Sequence, residues 1–204
     1  MLDAILCEEP VWELFQQFPY RSIDGAVFPF LELIEAPSPP DVRALADLLV
    51  KLYDLPDVEL DRKQSGADAL PVRPAMAYEK YAVVAWVQEN FGPGWASECD
   101  VAFANRPISC CIATQAGAIV GFACYDSTCR GFFGPIGVAD AVRGRGVGRA
   151  LLLSCLRAMA AVGYAYAIVG GVDSPEFYAR TVGAIEIPGS TPGVYRDRLR
   201  KPAS

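Results

Sequence analysis

The chain has no histidine among its 204 residues. That absence excludes Ser-His and Cys-His nucleophile pairs, imidazole acid–base chemistry and most zinc sites. No apolar run reaches the roughly 20 residues that a helix needs to cross a bilayer. Positive charge is also scarce: 18 lysines and arginines against 24 aspartates and glutamates leave a net charge of −6. A broad nucleic-acid face or a membrane-binding face is therefore not expected, and any anion must be gripped locally. The seven cysteines are odd in number and contain no C-x-x-C pair, so neither a disulfide framework nor a zinc ribbon is expected, and no metal. Most of them should be buried as small hydrophobes. The opening stretch MLDAILCEEPVWELF is acidic where an export or import leader wants positive charge, and a cytoplasmic location is expected.

What is present is a globular composition, 52% hydrophobic and 21% charged, in a chain long enough for one sizeable core with an appendage. Residues 1–69 read as an accessory segment. They carry a proline-rich break at Pro37–Pro40, a helix over 41–53 with Val42, Leu45, Leu49 and Leu52 at helical spacing, and the polar joint DRKQSGADALP. Packing of this segment on the main domain is the plain expectation; a lid and a homodimer contact stay open.

From Leu70 the punctuation becomes regular. A short strand in LPVRPA precedes a helix over Ala77–Gly92, with Tyr81, Val84, Ala85, Val87 and Gln88 on one face, and then a shorter helix in GWASECDVAFAN. Ile108–Thr114 and Ala118–Asp126 flank the turn Gln115-Ala116-Gly117 as a hairpin. RGFFGPIGV is a further strand, expected to bulge or splay at Gly134-Pro135 because proline donates nothing to a ladder. A helix runs from Val147 to Val162, YAYAIVGGV is a buried strand, SPEFYARTVGA is a helix capped by Ser174, and GVYRDRLR closes as a strand or tail. The order predicts a mixed α/β sheet.

Between strand and helix stands Arg143-Gly144-Arg145-Gly146-Val147-Gly148-Arg149. A helix start exposes unpaired N–H groups at the positive end of the macrodipole, and glycines let a diphosphate approach them. Arginines add forked donors on an otherwise acidic body. A Walker loop would end Gly-Lys-Ser/Thr, and this one ends Gly148-Arg149-Ala150; a dinucleotide fingerprint would place its third glycine one residue later.

The pattern R-x-x-G-x-G, with Val138 at a strand end five residues before it, resembles motif A of the GNAT superfamily of N-acetyltransferases, and EFYARTVGA (Glu176–Ala184) is similar to a helix motif of the same family. The resemblance spans roughly residues 70–199. It implies an acetyltransferase domain over 70–204: a mixed, mostly antiparallel central sheet with a splayed fourth strand and helices on both faces. It implies acetyl-CoA as cosubstrate, held along Ile136, Gly137 and Val138 and at the loop from Arg143 through Gly144, Arg145, Gly146, Val147 and Gly148 to Arg149. It also implies transfer of acetyl to a primary amine of a small molecule or peptide, with Tyr178 as the acid that protonates the departing thiolate and a backbone N–H near Val138 for the oxyanion.

The general base is less determined. Arg130–Val138 holds no carboxylate where relatives often carry one. Glu98 is the candidate, beside Asp100 and Asp126, and a water chain is the alternative. Trp95, Tyr125 and Phe132 are candidates to line an acceptor pocket. An acyl-cysteine relay at Cys110-Cys111 is disfavoured, since an apolar strand raises thiol pKa. Two rival readings remain: a catalytically reduced, acetyl-CoA-binding regulatory module, and an interaction protein whose first 69 residues fill the cleft.

Overall fold

Alternation, not helical spacing, governs the first element. In the computed structural model, which describes residues 46–57, 70–197 and 199, Leu48–Lys51 form strand β1 and Leu52–Asp54 a single 3-10 turn. Leu48, Val50 and Leu52 are buried and Lys51 is exposed. The helix expected over 41–53 is thereby corrected. The segment also carries Leu48, Val50 and Leu52 at a period of two, and what decides is pairing: β1 lies antiparallel between the strands Tyr166–Val169 and Ile185–Glu186. Residues 41–45, the proline-rich break and most of the polar joint lie outside the described residues.

The remaining elements are β2 (Val72–Pro74), α1 (Lys80–Phe91), α2 (Pro93–Ala104), β3 (Cys110–Gln115), β4 (Ala118–Tyr125), β5 (Phe132–Val138), α3 (Val147–Ala161), β6 (Tyr166–Val169), α4 (Pro175–Val182) and β7 (Ile185–Glu186). They build one seven-stranded sheet in the order β2-β3-β4-β5-β6-β1-β7. Every pairing is antiparallel except β5 with β6. The mixed, mostly antiparallel architecture is as expected, but the splayed strand is fifth in chain order because β1 precedes it. A boundary at 69/70 would cut β1 out of its own sheet. All described residues fall in one compact unit, Val42–Ser204, and none of their helices is long and apolar enough to cross a membrane.

The hairpin β3–β4 closes through Ala116 (φ 49°) and Gly117 (φ 81°), the pair of positive φ values a two-residue turn uses to match strand twist. At Gly134-Pro135 the register slips: Phe133 pairs with Tyr125 but Ile136 with Ala123, so β5 spends one more residue than β4 over this stretch. This is the bulge expected from the proline.

Helices cover both faces. α1 and α2 bury Val83, Val87, Ala96, Cys99, Ala102 and Phe103 against Cys110, Ile112, Phe122 and Cys124. α3 buries Leu151, Leu152, Leu153, Leu156 and Met159 on the other face, each side chain contributing about 1.5–3 kcal/mol relative to exposure. Of the face expected for α1, Val87 is buried and Val84 half-buried as expected, but Tyr81, Ala85 and Gln88 are exposed and Val83 is buried in their place. KYAVVAWVQENF is apolar around most of its circumference, so spacing selects no face. The closing strand in GVYRDRLR is also corrected: Gly193–Tyr195 form a 3-10 turn, and the short β7 ends the sheet.

Candidate functional site

Two parallel strands that part company create the cleft. β5 pairs with β6 at Phe132↔Ile168 and Phe133↔Val169, and β6 ends there. On its other side β5 continues against β4, and Ala139 N donates to Val120 O at 2.9 Å. Antiparallel alternation therefore turns the N–H and C=O of Gly137 and Ala139 toward β4 and those of Ile136 and Val138 toward the side that β6 has vacated.

The loop after β5 leads those amides into a second set. A 3-10 turn, Asp140–Val142, buries Val142 and brings Arg143 back over the strand end. Arg143 Nε donates to Val138 O at 3.3 Å, and Nη2 pairs with Asp140 Oδ1 at 2.9 Å. Gly144 and Gly146 hold φ values of +77° and +79°, with no atom within 4 Å of where a Cβ would stand. Glycine serves backbone conformation there and leaves the approach open. α3 begins at buried Val147 with no side-chain cap. Its first i→i−4 bond runs from Ala150 N to Gly146 O at 3.0 Å, so the amides of Val147, Gly148 and Arg149 precede the helical ladder. A Cβ at Gly148 would stand 3.8 Å from Val138 Cγ2 and 3.9 Å from Phe177 Cζ. The end of β5, the start of α3 and α4 thus converge on one spot.

Tyr178 sits where the strands diverge. Its ring meets Phe133 edge-on at 6.4 Å and Phe177 at 5.0 Å, and burial pushes its phenol up to about 12. Ile136, Gly137, Val138, the loop Arg143–Arg149 and Tyr178 are brought into one region.

Glu98 is not among them. It projects from α2, on the opposite face of the sheet, and accepts a hydrogen bond from Thr128 Oγ1 at 2.6 Å. Asp100 pairs with Lys80 at 2.9 Å, exposed to solvent. Asp126, at φ 54°, staples its loop by accepting from Gly131 N at 2.7 Å and Tyr164 Oη at 3.0 Å. Of the expected acceptor wall, Tyr125 faces the α3 side, 5% exposed and pushed up to about 12 by burial, while Trp95 belongs to the α1–α2 side. Trp95 stacks on Phe91 at 5.3 Å and is 37% exposed. The two cannot line one pocket, because alternation along β4 turns Tyr125 to the far face.

A cavity of about 290 Å³ lined by Asn105, Ser109, Tyr125, Asp126 and Tyr164 lies at the other end of α3, about 20 Å along a fifteen-residue helix from the glycine loop. It shares no residue with the cleft.

Asp47 and Tyr195 were not singled out in the sequence. Asp47 Oδ1 accepts from Gly171 N at 3.0 Å, Asp47 N donates to Ser190 Oγ at 2.8 Å, and Tyr195 Oη would be 3.0 Å from a Cβ at Gly170. They fasten the turn that follows β6. The signal for them was the doublet Gly170-Gly171 after a buried strand, which marks a close approach of other chain segments.

Residues 80–184, more than half of the chain, match the family model described as acetyltransferase (GNAT) family. No curated protein matches the chain. Among solved structures, a fungal multi-domain GH3 β-N-acetylglucosaminidase with a GCN5-related glucosamine N-acetyltransferase region is similar at 17% identity and a TM-score of 0.59, over 72% of this chain and 20% of that one. A GCN5-related N-acetyltransferase from Sphaerobacter thermophilus aligns at 18% identity and TM-score 0.49, over 70% of this chain and 48% of that one. A GNAT family N-acetyltransferase from Escherichia coli, in complex with CoA, aligns at 20% identity and TM-score 0.43, over 57% of this chain and 70% of that one. The chain spans about a fifth of the fungal protein and about half of the Sphaerobacter one; the likeness to the fungal region is one of fold. With the family match lying over the splayed strand, the glycine loop and the helix of Tyr178, the chain belongs to the acetyltransferase (GNAT) family.

Proposed function

We propose that the chain is an acetyl-CoA-dependent N-acetyltransferase that acts on a primary amine of a small molecule or peptide. The observation that carries this reading is the continuity of outward-facing backbone donors from Ile136 and Val138 to the uncapped first turn of α3, across a loop whose two left-handed glycines leave the approach clear. Such a track suits an amide-bearing pantetheine arm followed by a diphosphate. Arg145 is exposed on that loop, whereas Arg143 serves chiefly to tie the loop to Val138 and Asp140.

In the reaction the amine nitrogen bonds to the thioester carbonyl carbon and the carbon–sulfur bond breaks. The Val138 N–H faces the developing oxyanion. The amine's proton leaves to water, since the Glu98 carboxylate is already engaged by Thr128 Oγ1 at 2.6 Å. Tyr178 meets the departing thiolate. With its phenol near 12 it stays protonated throughout the working range. Because a thiol ionises at about 8.5, Tyr178 shares its proton as a hydrogen-bond donor and does not give it up outright. On the α1–α2 face, the Phe91–Trp95 stack beside Gly137 offers the acceptor an aromatic wall.

A thiol-release assay with acetyl-CoA across amino acids, polyamines, aminoglycosides and peptides tests the reading, with calorimetry on CoA and acetyl-CoA alongside. Thiol release with one amine class is the expected result, and absence of heat with either ligand overturns it. The lack of a carboxylate in Arg130–Val138 favours a second reading, a catalytically reduced acetyl-CoA-binding regulatory module. Tight binding with no thiol release across the panel would select that one.

A further inference from the structure

Three cysteines that the cleft does not use meet in the core beneath α2. Cys110 and Cys124 are directly opposed on β3 and β4. The neighbouring pair carries the ladder bond, Tyr125 N donating to Ser109 O at 3.0 Å. By alternation Cys110 and Cys124 are a non-hydrogen-bonded pair, with Cα atoms about 4.5 Å apart and side chains on one face. Cys99 descends on them from α2. The three sulfur atoms lie within 4.8 Å of one another, and all three residues are 0% exposed. Their surroundings, Val83, Val87, Ala102, Phe103, Ile112 and Phe122, are apolar. Lys80 on α1 is exposed and engaged with Asp100.

We propose that Cys99, Cys110 and Cys124 form a three-thiol site for a thiophilic trivalent ion, of which arsenite is the natural probe. Sulfur donors select soft ions, and among the described residues the triangle groups three sulfur donors with no carboxylate or imidazole as a fourth ligand. Charge then chooses among soft ions, because an apolar core penalises any net charge left in it. Three thiolates around zinc would leave one negative charge, and around Cu(I) two. Around As(III) they leave none. Zinc also prefers a fourth ligand, and among the described residues no fourth donor joins the three sulfurs. Uptake is a ligand exchange without electron transfer: three As–O bonds of arsenous acid break, three As–S bonds form, and the three thiol protons leave with the hydroxides as three waters.

The three bonds would join α2 to the β3–β4 hairpin. The experiment incubates the reduced full chain with arsenite and reads native mass, thermal midpoint and the positions of the bonds by peptide mapping. The expected result is one adduct whose mass is that of one arsenic atom less three hydrogens, linking the peptides of Cys99, Cys110 and Cys124, with a rise of several degrees in midpoint. The double variant C111A/C155A, which removes the other buried cysteine pair, keeps that adduct; C99A lowers arsenite affinity at least tenfold. A wild-type chain that takes up no arsenic, an adduct short of only two hydrogens, or bonds mapped to Cys7 or Cys129 would each overturn the proposal, and these readings on the wild-type chain stand even where C99A fails to fold.

Discussion

Phe91 occupies the space that a side chain at Gly137 would need: a Cβ there would stand 2.5 Å from Phe91 Cζ, with Phe122 Cε1 at 2.8 Å. The last residue of α1 is thereby pressed onto the strand that forms the cleft, and the helical layer fixes where that strand runs.

Gly137→Ala should cost about 1–3 kcal/mol through overpacking, read as a lowered urea midpoint with unchanged slope. Phe91→Leu in the same chain should recover part of the loss. An unshifted midpoint in Gly137→Ala would show that the contact yields freely.

Gly146→Val places a β-branched residue at φ +79°. With no neighbour to clash against, its cost is backbone strain of about 1–2 kcal/mol, and CoA affinity measured by calorimetry should fall at least tenfold. Gly148→Ala, whose Cβ would make ordinary contacts at 3.8 and 3.9 Å, should stay within about 0.5 kcal/mol of the parent. Equal effects from the two substitutions would remove the argument that the loop's conformation matters.

Tyr178→Phe should lower kcat by about a hundredfold, the cost of losing a hydrogen-bond donor to developing charge, while leaving the dissociation constant for CoA unchanged. The same tyrosine sets an alkaline limit. Its folded pKa, near 12, lies above the unfolded value of about 10, so its contribution to stability is whole below pH 10 and is lost as pH rises toward 12. Tyr125, also raised to about 12 by burial, adds to the same window. Thermal midpoints between pH 9 and 12 should fall steeply, and less so in Tyr178→Phe.

Glu79 behaves in the opposite sense. Arg73 grips both its carboxylate oxygens, at 2.6 and 2.8 Å, and Met76 N donates at 2.7 Å, which holds its pKa at about 2. That stability is complete above the unfolded value of about 4.3 and is lost as pH falls toward 2. Glu79→Gln should cost about 1 kcal/mol at neutral pH and flatten the acid limb of the stability profile; an acid limb identical to the parent's would count against the pair.

The glycine loop was legible because its signal is local: left-handed conformations favour glycine, and a helix start is written in the residues that open it. The bulge at Gly134-Pro135 was legible for the same reason. Asp47, Tyr195 and the buried face of α1 were not, since each is defined by partners distant in the chain. Asp47, for instance, holds Gly171, 124 residues away.

The sequence by itself determined the strand–loop–helix passage through the glycines, the hairpin and the order of the elements from Leu70 onward, all of which follow from conformational preferences acting over a few residues. Only the tertiary structure decided that Leu48–Lys51 is a strand within the sheet, that Glu98 and Tyr178 stand on opposite faces, and that three scattered cysteines meet in one apolar core. Burial and pairing settle these points. Both are properties of surfaces that meet only after the chain has folded, and a run such as LLVK carries no record of which surface it will meet.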